Sequence, residues 1–172
     1  MTRELLILRH AKSDWNTAAA SDFERPLNDR GKRDAPRVGA WLAAQGWLPD
    51  HVVASPAKRA KATARKVCQE LGVDPDAIDW QPRAYLADVP TLLSLLARCP
   101  VAAERVLLVG HNPGLEELLA TLVGETLALP ADGKLLPTAA VARLALAQEW
   151  AGLRPGCAEL LALVRVRDLP SD

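Results

Sequence analysis

Apolar residues in this chain fall into short unbroken runs separated by longer stretches of helical spacing. Leu5-Leu6-Ile7-Leu8, Val52-Val53-Ala54 and Val106-Leu107-Leu108-Val109 show no alternation of apolar and polar positions. Runs of that length and uniformity predict strands buried on both faces. Between them, apolar positions recur every three or four residues. Ala35, Val38, Trp41 and Leu42 form one stripe, and Ala60, Ala64, Val67 and Leu71 a second. Leu92, Leu93, Leu95 and Leu96 form a third within Thr91 to Arg98, and Leu115, Leu118, Leu119 and Leu122 a fourth. Capping residues set the expected boundaries. Asn28 caps a helix from Asp29 that Gly46 stops, with Pro36 making its first turns kinked or irregular. Ser55 caps the next helix with Pro56 at its first position, and Gly72 closes it. Asn112 caps another, started by Pro113. Ile78 to Trp80 is a candidate short strand, and beyond Gly124 two further segments, Ala139 to Ala147 and Glu159 to Val166, are strand-like. Strands alternating with helices predict an α/β fold, a three-layer α/β/α sandwich with a mostly parallel sheet that is mixed at its end.

Composition narrows the function classes. A length of 172 residues suits one domain, residues 1–172, with about half the residues apolar. Twenty-one basic residues balance 21 acidic ones, which argues against a nucleic-acid-binding surface. No stretch approaches the roughly 20 apolar residues of a membrane span, and Glu4 interrupts the start, where a signal peptide would need a longer apolar run. Cys68, Cys99 and Cys157 are widely spaced, without a paired-cysteine metal motif. They read as buried, reduced thiols of a soluble cytoplasmic protein.

The ends of the buried runs carry the chemistry. The first ends in Arg9-His10, the second in Ser55 with Arg59 soon after, the third in His111-Asn112. Arg9 and His10 cannot stay in an apolar strand interior without partners. They therefore emerge at the carboxyl end of the sheet, where open α/β folds place ligands. A neutral imidazole is a nucleophile, and a guanidinium grips phosphate oxygens in a fork. If the strands are parallel neighbours, His10, Arg59 and His111 converge on one rim, as phosphoryl transfer requires. Backbone amides opening the helices after Ser55 and Asn112 would add anion affinity. Each residue alone has a plainer reading. Arg9 and His10 could form a surface ion pair, His111 a structural histidine, and Arg59 and Arg25 solvated side chains. His51 begins a strand, away from these exits, and is read as structural. The long loop from Ala11 to Arg25 is expected to be functional, and its Trp15 is either a loop staple or a substrate contact.

Four strings in order, LRHAKSDW, SDFERPLNDRGKRDA, SPAKRAKATA and LLVGHNPGLEELL, resemble the histidine phosphatase superfamily, and within it the compact SixA-type phosphohistidine phosphatases. The resemblance runs from Leu5 to about Leu122, with weaker echoes at Leu136-Pro137-Thr138 and Arg167-Asp168-Leu169. It implies a phosphoglycerate mutase-like fold with His10 as the phosphate-accepting nucleophile. It further implies that Arg9, Arg59 and His111 hold the phosphoryl group, joined by Arg25, with Asn112 beside them. No metal and no cofactor are implied.

Two positions depart from the family pattern. Ala11 replaces the usual glycine after the histidine. Larger members carry a carboxylic acid between the second and third motifs that protonates the leaving group; here that interval reads Arg83-Ala84-Tyr85-Leu86-Ala87-Asp88. Asp88 is a candidate general acid, but it also makes a good N-cap for the following helix, the favoured reading. An alkoxide leaving group needs a well-placed acid, whereas a phosphorylated imidazole departs more readily. Only about fifty residues separate Arg59 from His111, leaving little room for an enclosing insertion. The expected substrate is thus phosphohistidine in a protein. A small phosphorylated molecule and a non-catalytic phosphate-binding module are the alternatives, with neither a nucleic-acid nor a membrane partner.

Overall fold

The computed structural model describes residues 2–171. The predicted runs become strands β1 (Arg3–Arg9), β2 (His51–Ala54) and β4 (Arg105–Gly110), with the short β3 (Asp79–Trp80) and, later, β5 (Val141–Leu146) and β6 (Ala158–Val164). They form one six-stranded sheet in the order β3-β2-β4-β1-β5-β6. The first four are mutually parallel where they pair; β5 runs antiparallel to β1 and to β6. The sheet is mixed at one end, as expected.

Strand geometry sends alternate side chains to opposite faces. Leu5 and Ile7 enter a core with Leu108, Leu115 and Leu118, while Leu6 and Leu8 enter another with Val38, Leu42 and Val67. Helices α3 (Val89–Ala97) and α4 (Gly114–Val123) cover the first face; α1 (Asp29–Ala44) and α2 (Lys58–Leu71) cover the second. Both faces of β1 are sealed, which is why that strand reads as four consecutive apolar residues.

Several boundaries differ from the sequence expectation. Helix α1 runs unbroken through Pro36, and Asn28 caps it by accepting from the Gly31 amide. Ser55 is not a helix cap. Its amide still donates to Val109 on the neighbouring strand, and its hydroxyl accepts from the Ala57 amide two residues on, a local turn that delays α2 to Lys58. Asn112 does not cap α4, because its side-chain amide donates to the Leu136 carbonyl; Pro113 lies at the cap position and Gly114 starts the helix. Helix α3 begins two residues early, at Val89, with Asp88 as N-cap. Cys68 and Cys99 are buried but Cys157 only half-buried, and all three are free.

Candidate active site

Strands β1 and β2 flank β4, with Arg9 opposite Gly110 and Ala54 opposite Val109. That register delivers the next residues of each strand to one rim. The His10 amide donates to Gly110, and the His10 and His111 rings lie 5.2 Å apart between centroids, tilted by 54°. Two imidazoles separated by a hundred residues become neighbours because parallel strands end in step.

The loop after His10 is anchored from three sides. The Ala11 amide donates to the Thr63 hydroxyl, which in turn donates to the Arg59 carbonyl. The Asn28 amide donates to the Lys12 carbonyl, and a Cβ on Gly31 would fall 2.1 Å from that same oxygen. Only glycine lets the first turn of α1 press so close to the loop. Farther on, the Asp14 amide donates to Pro26.

His10 Nδ1 lies 2.7 Å from the Ala11 carbonyl. A carbonyl only accepts, so Nδ1 carries the ring proton and Nε2 keeps its lone pair. Burial pushes the His10 pKa down to about 4, with Arg59, Arg9 and Arg25 lowering it further against the Ala11 hydrogen bond. The ring is neutral at ordinary pH. His111 is held lower, at about 3, by burial and then by His10 and Arg59. Its Nε2 is 2.8 Å from the Ser55 hydroxyl, and its Nδ1 is buried without a partner.

Arg59 is 2 % exposed and Arg25 8 %, so neither is the solvated side chain its local sequence suggests. The group that gathers them is Asp22, which sequence reasoning missed. Arg59 donates to the Asp22 backbone carbonyl at 2.6 Å and to its carboxylate at 2.9 Å. Arg25 donates to the other carboxylate oxygen at 3.0 Å and also to the Ser13 hydroxyl. The Tyr85 hydroxyl donates to Asp22 at 2.5 Å. Tyr85, then Arg25 and Arg59, hold the Asp22 carboxyl far below its usual range despite partial desolvation. Asp22 precedes Arg25 by three residues in the string SDFER, the one local signal that could have pointed to it.

Asp22, Arg25 and Arg59 line, with His10, Ser13 and His111, a cavity of about 300 Å³ that also includes Arg9, Lys12, Trp15, Leu86, Asn112 and Thr138. Arg9 donates to the Leu136 carbonyl, the acceptor that Asn112 also uses. The Nε atoms of Arg9, Arg25 and Arg59 are buried without protein partners. At the helix openings, the Lys58 amide donates to Phe23 and the Leu115 amide to His111.

Asp88 lies outside this cavity. Its carboxylate accepts from the Thr91 amide at 3.0 Å, the capping arrangement that the sequence also offered. Asp22 is the one carboxylate among the described cavity residues, and it is held ionised. His51 stands at the other end of β2 beside Asp79. Among the described residues, no cluster of three or more His, Cys, Asp or Glu side chains is placed to hold a metal ion. No helix among the described residues is long and apolar enough to cross a membrane.

Residues 5–83 match the model of the histidine phosphatase superfamily (branch 1). An uncharacterised protein of Mycobacterium tuberculosis is 35% identical over 158 residues, covering 90% of this chain and 96% of its own. The chain spans only 63% of the length of a chloroplastic Arabidopsis thaliana relative. Among solved structures, a protein assigned as phosphohistidine phosphatase SixA of Agrobacterium tumefaciens superposes with a TM-score of 0.77 at 31% identity, covering 95% of this chain and 98% of that one. The protein given the same assignment in Nakamurella multipartitia superposes at 0.81 with 28% identity, covering 96% of each chain.

Proposed function

The chain belongs to the histidine phosphatase superfamily and is a phosphatase; from that premise we propose that it hydrolyses phosphohistidine in a protein, through a phosphoryl group carried on His10. The observation that carries the reading is a neutral His10, its Nδ1 donating to the Ala11 carbonyl, in a cavity lined by Arg9, Arg25, Arg59 and His111. Several guanidiniums around one small cavity suit an anion's oxygens.

In the first step His10 Nε2 attacks phosphorus in line. The bond from phosphorus to the substrate's ring nitrogen breaks, and that nitrogen takes the electron pair and a proton from water. The Ala11 carbonyl accepts from His10 Nδ1 and stabilises the positive charge that builds on the ring. Arg9, Arg25 and Arg59 face the peripheral oxygens. If the Ser55 hydroxyl donates to His111 Nε2, the His111 proton sits on Nδ1 and points to the same oxygens. In the second step water attacks the phosphorylated His10, releasing phosphate and restoring the imidazole.

Leaving-group chemistry supports a phosphoramidate substrate. An ester oxygen needs an acid to depart, and Asp22 is held ionised while Asp88 caps a helix. A protein substrate is supported by the segment between Arg59 and His111, which supplies only β3, α3 and short turns and no inserted cover. Burial raises the Cys68 thiol to about 11 and the Cys99 thiol to about 12, unreactive states that fit a reducing cytoplasm.

Mixing the protein with a phosphohistidine donor and quenching in base tests the reading. The expected product is an acid-labile, base-stable phosphoryl-protein, absent in His10→Ala, with turnover at least about 10³-fold lower in that variant. Turnover should persist in EDTA. Faster turnover of sugar phosphates or nucleotides than of a phosphohistidine protein would favour a small-molecule phosphomonoesterase. Phosphate binding that His10→Ala leaves intact, without any turnover in the native protein, would favour a binding module.

A further inference from the structure

Six large apolar side chains are exposed among the described residues, and two of them, Trp15 and Leu86, line the mouth of the phosphoryl cavity. Trp15 is 70 % exposed, yet its indole is not loose. The Arg25 guanidinium lies 3.6 Å from the ring centroid, and that guanidinium is itself held by Ser13 and Asp22. Leu86, 56 % exposed, has a φ of 48°, a left-handed conformation unfavourable for a branched side chain.

Both of its neighbours are tied to other parts of the fold. Tyr85 bonds Asp22 and meets the His111 ring edge-on at 5.4 Å. On the other side, the Ala87 carbonyl is packed so tightly on the start of α4 that a Cβ at Gly114 would lie 2.0 Å from it. The fold thus keeps two apolar groups in water at the mouth, one by a stacked cation and one by backbone strain. Neither arrangement adds to a core.

The reacting geometry says what meets them. His10 is 6 % exposed at the cavity floor, so an in-line leaving group departs on the far side of phosphorus, toward the mouth. For phosphohistidine that group is a flat, weakly polar imidazole. We propose that Trp15 and Leu86 form a clamp for the leaving imidazole, the indole against its face and the isobutyl group against its edge, and so select a phosphorylated ring over ringless phosphoryl donors. This rests on the phosphohistidine reading above and adds the residues that choose the leaving group.

Two donors with the same phosphorus–nitrogen bond separate the ideas, N-phosphoimidazole with a ring and phosphoramidate without one. Trp15→Ala should lower kcat/KM for phosphoimidazole by about tenfold, with phosphoramidate changed less than about twofold. Trp15→Phe should recover most of the loss, and Leu86→Ala should give a smaller loss of the same selectivity. Equal losses on both donors would mean that Trp15 only steadies Arg25, and no loss on either would mean that the ring goes elsewhere; both overturn the clamp while leaving the phosphatase reading intact. A native protein inactive on both donors but active on sugar phosphates would overturn the clamp and the phosphohistidine reading together.

Discussion

The two ends of the sheet use the same residue types to opposite purpose. Near the amino ends of β1 and β4, Glu4 sits between two arginines. Arg105 reaches its carboxylate at 2.6 Å and Arg143 reaches both oxygens, at 2.6 and 3.0 Å. Arg105 also donates to the Gly46 and Leu48 carbonyls, and Arg143 lies over the Trp47 ring. None of these three side chains keeps a buried polar atom without a partner. Burial raises the Glu4 pKa, but the hydrogen bonds from Arg143 and Arg105 outweigh it and leave the group lowered. At the carboxyl end, Asp22 likewise joins two arginines, yet Arg9, Arg25, Arg59 and His111 each keep a buried nitrogen unpaired. A satisfied cluster holds strands together; an unsatisfied one is shaped for something else. Arg3 at the amino end also keeps a buried Nε unpaired, so the contrast lies between the Glu4 and Asp22 clusters, which arginine count does not distinguish but partner accounting does.

Substitutions at the two ends should therefore fail in different measurements. Among the arginines of the two clusters, the largest effect is expected at Arg59. Arg59→Ala should lower kcat/KM by at least about 10²-fold, and Arg59→Lys should recover little of it, because a point charge does not replace a fork. Near-native activity in Arg59→Ala would place this arginine with the structural cluster and dissolve the contrast.

Acidity gives the next largest effect. His10 titrates at about 4 in the folded protein, so the acid limb of the rate should fall near there and not near the ordinary histidine value of about 6.5. Spontaneous hydrolysis of the substrate must be subtracted at each pH. Stability follows the same sign. A histidine buried neutral contributes fully above about 6.5, and its contribution is lost as pH falls through that value toward 4. Glu4 loses its contribution only below its ordinary range, so between pH 6.5 and about 4.5 the decline belongs to the site. Urea titrations across that window should show a flatter profile for His10→Ala than for the native chain.

Glu4→Gln should give the smallest change, a stability loss of about 1–2 kcal/mol with kcat/KM unaltered within about twofold. Equilibrium unfolding beside steady-state rates measures both at once. A tenfold loss of activity in Glu4→Gln would show that the two ends are coupled through β1, and the comparison would need to be redrawn.

Local sequence was informative where the physics is local. Doubly buried strands must be apolar without interruption, so Leu5 to Leu8 and Val106 to Val109 could be placed before any coordinates. Their exits could be named too, because Arg9, His10 and His111 cannot be left inside. Capping was legible at Asn28 but not at Ser55 or Asn112, whose side chains serve a histidine and a distant carbonyl. Asp22 was illegible for the same reason: its partners arrive from 3, 37 and 63 residues away along the chain.

The amino-acid order by itself determined that the chain is α/β, that two imidazoles and Arg9 stand at strand exits, and that its motifs resemble those of the histidine phosphatase superfamily. Only the tertiary structure decided which arginines are buried, that Asp22 and Tyr85 organise them, that Asp88 is engaged as a cap, and that Trp15 and Leu86 face the mouth. The reason is one of range. Periodicity and capping depend on neighbours a few residues away, whereas burial and pairing of charge depend on which strands lie side by side, and that is settled only when the sheet is assembled.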